Sequence, residues 1–471
     1  MNHLFRSAAS ILVLVAVSAC DDNDSGTAEP SAERTGEQLF NQPFPGTNGR
    51  ACATCHVPTD NFTLTPAHVT KLFETNPDDP LFNAIDADDP DAEPLTFEHL
   101  KKGLVRVTLT LPDTVDLVDD EGSVITPPER SMFVWRAVPS IADTALTAPF
   151  QLDGHAATLE EQAQGAIIGH SQGGDVPQSQ LELIAEFERT VFSSDRARAI
   201  AEYLASGADP AMAPNVEDEL ELTAEERRGR EIYGLVCANC HGGLNQATIV
   251  DRKIHDLGFP AFKADGSGTV VHEVPATQPP TVVLAAQPDN EFLNTGTAVE
   301  MYLAVLGATE HESFTSDLGF PNYRYRFYTD GSRTQRAADL PPAALPFDPD
   351  GGGGFNVELD ADGNPLVGPN LAPQFFSTDP GRAMITGSPH DFEAFDVPTL
   401  RGIAKTAPYF HNNTVQTLAE VVDLYSDHLL SRFPSLIQPG EKETDPDGDI
   451  GPEETLTAGQ KSDLVAFLKR L

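Results

Sequence analysis

One pentapeptide pattern, Cys-x-x-Cys-His, occurs twice in this chain, at residues 52–56 and 237–241. Two thiols three residues apart can form thioether bonds to the two vinyl groups of one porphyrin. The histidine that follows puts an imidazole under the iron, so each copy reads as a c-type haem attachment site. Cys52, Cys55 and His56 would hold one haem, and Cys237, Cys240 and His241 the other, with His56 and His241 as proximal iron ligands. The alternative, one zinc bound by four cysteines, leaves the histidine after each second cysteine unexplained. It also needs the two pairs far closer together than they are.

Cysteine usage and the N-terminus agree with export. Four of the five cysteines lie in the two motifs, and the fifth is Cys20. It ends a stretch in which Arg6 precedes the apolar run Ile-Leu-Val-Leu-Val-Ala-Val at 11–17 and the small residues Ser18 and Ala19. That run is too short for a permanent span and reads as an export signal over residues 1–20. Val-Ser-Ala-Cys20 resembles the lipobox of bacterial lipoproteins, which implies a lipidated Cys20 and an anchor on the periplasmic side of a bacterial membrane. Residues 21–35 then form a polar, acidic tether. Acidic residues number 72 against 30 basic ones, a balance that argues against nucleic acid as a partner. It suits solubility or the steering of a basic redox partner.

An internal repeat divides the chain. Val138-Pro-Ser-Ile-Ala-Asp-Thr-Ala-Leu-Thr-Ala-Pro-Phe150 aligns without gaps on Val397-Pro-Thr-Leu-Arg-Gly-Ile-Ala-Lys-Thr-Ala-Pro-Tyr409, and Thr158-Leu-Glu-Glu161 on Thr417-Leu-Ala-Glu420. Ahead of each motif lies an amphipathic stretch with one glycine, Gly36 or Gly229, which allows close helix packing. A helix over 196–204 is expected to close the first half and one over 459–471 the second, with Leu464, Phe467, Leu468 and Leu471 at helical spacing. The expected fold is mainly α: two tandem cytochrome c-like domains with long loops. Residues 36–205 form the first and 220–471 the second, joined by a linker at 206–219. A Gly/Pro-rich surface insertion at about 340–368, with a small hairpin near Asp360, is expected in the second. The acidic runs at 78–91 and 445–449 lack EF-hand spacing and read as solvated loops.

Tandem Cys-x-x-Cys-His domains with Pro-Thr-Leu-Arg401 and Thr-Ala-Pro-Tyr-Phe-His411 resemble the bacterial di-haem cytochrome c peroxidase and MauG family, from about Gly36 to Leu471. Phe150-Gln-Leu-Asp-Gly-His-Ala-Ala-Thr-Leu-Glu-Glu-Gln-Ala163 is similar to the family segment lining the peroxide side of the N-terminal haem. By that resemblance Glu161 matches the catalytic glutamate and Gln151 the distal glutamine. A carboxylate in a water-poor pocket can carry the proton that must leave one peroxide oxygen and reach the other. His155 stands where the family has Arg; it is a candidate acid–base group, removable ligand or replacement for that Arg. His68 is a second candidate for a removable ligand.

Other departures concern the second haem. Ala394 occupies the position of the family's axial methionine or tyrosine, which leaves Met384, and His390 beside it, as candidate distal ligands. His411 is expected to order the loop over that haem rather than ligate it. The family places a tryptophan between its haems; here Ile141 takes that position, and the single tryptophan is Trp135. The resemblance also implies an interdomain calcium ion, with the backbone near Thr378 and Pro380 contributing, and leaves room for a homodimer. The implied function is reduction of hydrogen peroxide with electrons from a small periplasmic donor, a c-type cytochrome or cupredoxin. A MauG-like oxidase of a partner protein and a non-catalytic di-haem electron carrier are the alternatives.

Overall fold

The computed structural model describes residues 32–119, 121–238, 240–247, 323–340, 377–388, 391–426 and 456–471, with short pieces at 263–264, 270–271, 292–293, 314 and 317–321. Cys20 with the expected signal and most of the tether, His390, the Asp360 hairpin and insertion beyond Leu340, and the 445–449 run lie outside the described residues.

Each half is built on a pair of crossed helices. In the first, α1 (Ala32–Asn41) packs against α5 (Gln178–Glu188). In the second, α7 (Ala224–Ile232) packs against α10 (Ala458–Leu468). Glycine makes both crossings possible: a Cβ on Gly36 would stand 2.1 Å from the Leu183 carbonyl oxygen, and one on Gly229 would stand 1.9 Å from that of Asp463. Phe187 and Phe467 close over these glycines at the same relative place. The helix that closes the first half is therefore α5, not the expected 196–204 segment. That segment is α6 (Asp195–Ala205), and Arg196 at its start donates to the backbone oxygens of Arg470 and Leu471 at 2.6 and 3.0 Å. It packs against the chain's C-terminus because the face of α1 is already taken by α5.

Between these pairs lie α2 (Cys52–Cys55), α3 (Pro66–Thr75), α4 (Leu159–Gly169), α8 (Ala383–Thr386) and α9 (Leu418–Leu424). Thr-x-x-Glu/Gln capping boxes start α4, α7, α9 and α10, satisfying backbone N–H groups that would otherwise lack partners. The repeat is as plain in the backbone as in the sequence. Gln151 and Phe410 both take left-handed φ, at 74° and 69°, and Phe150–Ala156 and Tyr409–Val415 form matching antiparallel bridges.

The helix-rich architecture also contains sheet, which the mainly α expectation did not include. β1 (Leu104–Thr110) pairs antiparallel with β3 (Ser131–Ala137), Val107 opposite Val134. β2 (Val115–Val118), from the first half, pairs with β4 (Arg324–Tyr328) of the second, which pairs in turn with β5 (Arg336–Leu340). Val115 lies opposite Phe327. Leu109, Val115, Leu117 and Val134 from one half bury Tyr325, Phe327 and Phe392 from the other, so a shared apolar core joins the halves. The segment read as a linker is folded too: Glu217 is buried and accepts two bonds from Arg401, at 2.8 and 3.2 Å.

Candidate functional site

The two cysteine–histidine motifs sit in different cores. Cys52 packs with Phe40, Ile141 and Ile184 between α1, α4 and α5, and Cys55 with Val57 and Leu64. Cys237 and Cys240 belong to the core of α7, α9 and α10. This separation rules out one zinc ion shared by all four thiols. Burial pushes the Cys52 and Cys237 thiols up to about 12 and Cys55 to about 11, so all three are neutral thiols in apolar surroundings.

Both motif histidines are held alike. The His56 Nδ1–H donates to the Phe62 carbonyl at 3.1 Å, and the Pro139 backbone also faces the ring. The His241 Nδ1–H donates to the Pro398 carbonyl at 3.0 Å, with the Gln246 backbone as the second neighbour. Pro139 and Pro398 are equivalent positions of the repeat, so the repeated block serves to orient an imidazole in each half. With Nδ1 committed, Nε2 is the nitrogen left to bind a metal. Burial lowers both imidazoles to about 4, which keeps them neutral, the form a ligand needs.

Beside His241 opens a cavity of about 370 Å³, lined by Cys237, Cys240 and His241 and mostly by aliphatic and aromatic side chains. Leu464 and Leu468 of α10 wall one side, and Asn61, Thr63, Leu64 and the stretch from Ala137 to Ser140 wall another. The first half thus closes the second half's site. The loop that holds His56 runs directly into this wall, since Phe62 lies between Asn61 and Thr63. His411 also lines the cavity, stacked on Phe395 with ring centroids 4.4 Å apart, and its buried Nδ1 has no hydrogen-bond partner among the described residues. Neutral thiols, an imidazole tied through Nδ1, an apolar cavity and an orphaned buried nitrogen together fit a haem.

Similar proteins point the same way. The cytochrome-c peroxidase IdrP1 of Pseudomonas sp. (strain SCT) is 23% identical over 356 residues, 72% of this chain and 68% of that protein. The cytochrome-c peroxidase IdrP2 of Denitromonas iodatirespirans is 35% identical over 97 residues, a stretch that makes up 20% of this chain and 21% of that protein.

The chain resembles the di-haem cytochrome c peroxidase and MauG family.

That family implies haem cofactors. No family model matches the chain. Solved structures aligned with it include a MauG-like protein associated with microbial copper homeostasis (TM-score 0.39, 19% identity, 96% of this chain and 91% of that one). The diheme peroxidase BthA from Burkholderia thailandensis aligns at a TM-score of 0.34 and 14% identity, over 93% of this chain and 85% of that one. Neither likeness is close enough to argue from.

The remaining site residues fall into three places. Glu161 is the third residue of α4, and its Oε2 accepts from the Ala157 and Thr158 N–H groups at 3.0 and 3.3 Å. Glu420 does the same for Gln416 and Thr417, so the cap belongs to both halves. Glu161 is exposed, whereas its neighbour Glu160 is half-buried and bound to Arg189 at 3.2 Å. Gln151 is half-buried in the left-handed turn that leads to the Asp153–His155 corner.

At that corner His155, 42% exposed, bonds through Nδ1 to Asp153 Oδ1 at 2.5 Å. Asp153 is fully buried; burial alone would raise its carboxyl, but Arg136 and His155 hold it below the usual carboxylate range. Arg136 also grips Asp379, so that carboxylate, in the stretch expected near calcium, is committed to a guanidinium and to the Gly381 N–H.

Met384 needs correction as a candidate distal ligand. It is 4% exposed among Tyr325, Phe327, Ala383 and Phe392, in the core that joins the halves, and does not line the cavity beside His241. A flexible thioether fills an irregular gap there. His68 lies in the first turn of α3, 3.7 Å from Asp60 and partly exposed. Trp135 is buried on β3 and stacked on His99 at 4.0 Å, while Ile141 packs against Phe40 beside the first motif. Two residues escaped sequence reading: His170, which ends α4 and faces His56, and Glu188, which faces Cys52.

Proposed function

We propose that this protein is an exported di-haem cytochrome c peroxidase, lipid-anchored through Cys20 on the periplasmic side, that reduces hydrogen peroxide with electrons from a small c-type cytochrome or cupredoxin. The observation that carries the reading is the duplicated cradle: each half sets a Cys-x-x-Cys-His motif under its own repeat block, with the imidazole fixed through Nδ1. Cys52 and Cys55 would hold one porphyrin and Cys237 and Cys240 the other, with the Nε2 atoms of His56 and His241 facing the irons. When bound, haem supplies an iron that can take up peroxide and pass electrons singly.

The chain's own contribution is position and protons. Both cap bonds of Glu161 use Oε2, so Oε1 is the oxygen left to exchange a proton with peroxide. Gln151, ten residues earlier, would orient the substrate through its amide. The half-to-half contacts keep the two cradles in register: the Ala137 N–H donates to the His411 carbonyl at 2.6 Å, and that of Asp396 to the Leu152 carbonyl at 2.8 Å.

The test is donor oxidation by peroxide, comparing the haem-loaded protein with Glu161→Gln. Glutamine keeps the capping box intact while removing the proton carrier. Turnover should fall by roughly 10²–10⁴-fold, the usual worth of a positioned acid–base group, with both haems retained. Unchanged turnover would remove Glu161 from the mechanism. A spectral response to peroxide without donor oxidation would favour oxidation of a partner protein, and no response an electron carrier.

A further inference from the structure

The two helix crossings superpose residue for residue: Leu183 and Phe187 meet Gly36 as Asp463 and Phe467 meet Gly229. The next position along is Glu188 in the first half and Leu468 in the second. Leu468 lines the cavity that holds Cys237, Cys240 and His241. By this equivalence Glu188 presents a carboxyl to the first motif's site at the point where the second half presents a leucine. Glu188 is only 3% exposed, and its buried Oε2 has no hydrogen-bond partner among the described residues. A buried polar oxygen left unpaired is costly and calls for an explanation.

We infer that Glu188 is a proton-binding site coupled to electron arrival at the N-terminal haem site, a device that the C-terminal site lacks. The inference rests on the reading that a haem is held by Cys52, Cys55 and His56, but not on the peroxidase activity. The geometry supplies the coupling. An ionised carboxylate buried beside a haem stabilises the oxidised, more positive form, and loses that partner when the charge falls on reduction. One electron from the donor and one proton from solvent would therefore enter together: an O–H bond of hydronium breaks, releasing water, as the O–H bond on Glu188 forms.

Its surroundings leave the carboxyl free to titrate. The groups that act on it are Cys52 on α2, Arg189 after the end of α5, and Glu160 on α4. Arg189 is paired with Glu160 at 3.2 Å. From α1 the surrounding core receives Leu39 and Phe40. Burial, set only partly against Arg189 and reinforced by Glu160, pushes Glu188 up to about 8.

The experiment is a spectroelectrochemical titration of both haems across pH 5–10, in the wild type, Glu188→Gln and Glu188→Leu, the last reproducing the second half's residue. One haem of the wild type should lose potential by up to about 59 mV per pH unit over part of this range, one proton per electron. That slope should flatten in both variants, while the other haem is unchanged in all three. Equal slopes in wild type and variants would overturn the inference, as would loss of slope at both haems together. Absence of covalent haem at Cys52 and Cys55 would instead overturn the site assignment beneath it. Peroxide turnover, read separately, reports on the peroxidase reading alone.

Discussion

Arg136 of β3 and Asp379 of the second half form a two-point ion pair, Nε to Oδ2 at 2.6 Å and Nη2 to Oδ1 at 2.9 Å, with almost no solvent at either side chain. The third arm of the guanidinium holds Asp153 at 2.6 Å. One cation thus binds two buried carboxylates from opposite halves. Replacing it with alanine would leave two buried carboxylates without their guanidinium, Asp153 keeping only His155 and Asp379 only the Gly381 N–H. Arg136→Ala is expected to cost about 3–5 kcal/mol of unfolding free energy, measured by chemical denaturation.

The same cluster sets an acid limit. The folded Asp153 carboxyl lies below its unfolded value of about 3.9, so its stabilisation is full above that value and is lost as pH falls through the folded one. Melting temperature should drop on acidification below about pH 4. In Asp153→Asn that component of the pH dependence should disappear.

Gly229 is the tighter of the two helix crossings. A Cβ there meets the backbone of α10 rather than the end of a flexible side chain, so the helices must separate. Gly229→Ala should destabilise by about 1–3 kcal/mol in thermal unfolding, as overpacking does.

Met384 offers a clean separation of core from ligand. Met384→Leu conserves volume inside an apolar cluster and should cost less than about 1.5 kcal/mol. The visible spectra of the loaded protein should be unchanged in both oxidation states. A change confined to the second haem would restore Met384 as its ligand.

Much of the duplicated plan was legible before any coordinates. Gly36 and Gly229 stand out because each interrupts an amphipathic helix at one place. Thr158 with Glu161 and Thr417 with Glu420 announce helix starts that the structure contains. The closing helix of the first half was misplaced because apolar spacing marks a helix without saying which face another helix will occupy. With the wrong helix chosen, Glu188 could not be set against Leu468, and its burial stayed hidden. The strands were missed for a related reason. β2 finds its partner more than two hundred residues away in the other half, at Phe327 opposite Val115, and no local pattern encodes that pairing.

Covalent spacing and local backbone chemistry act over a few residues, so the chain alone determined where the two Cys-x-x-Cys-His motifs stand, that the plan is doubled, and which threonines cap its helices. Burial, orientation and long-range pairing depend on segments far apart in sequence. Only the tertiary structure decided that Pro139 and Pro398 face the two imidazoles, that Met384 lies in the core, that Arg136 binds a carboxylate from each half, and that Glu188 is buried at the place where the second half has Leu468.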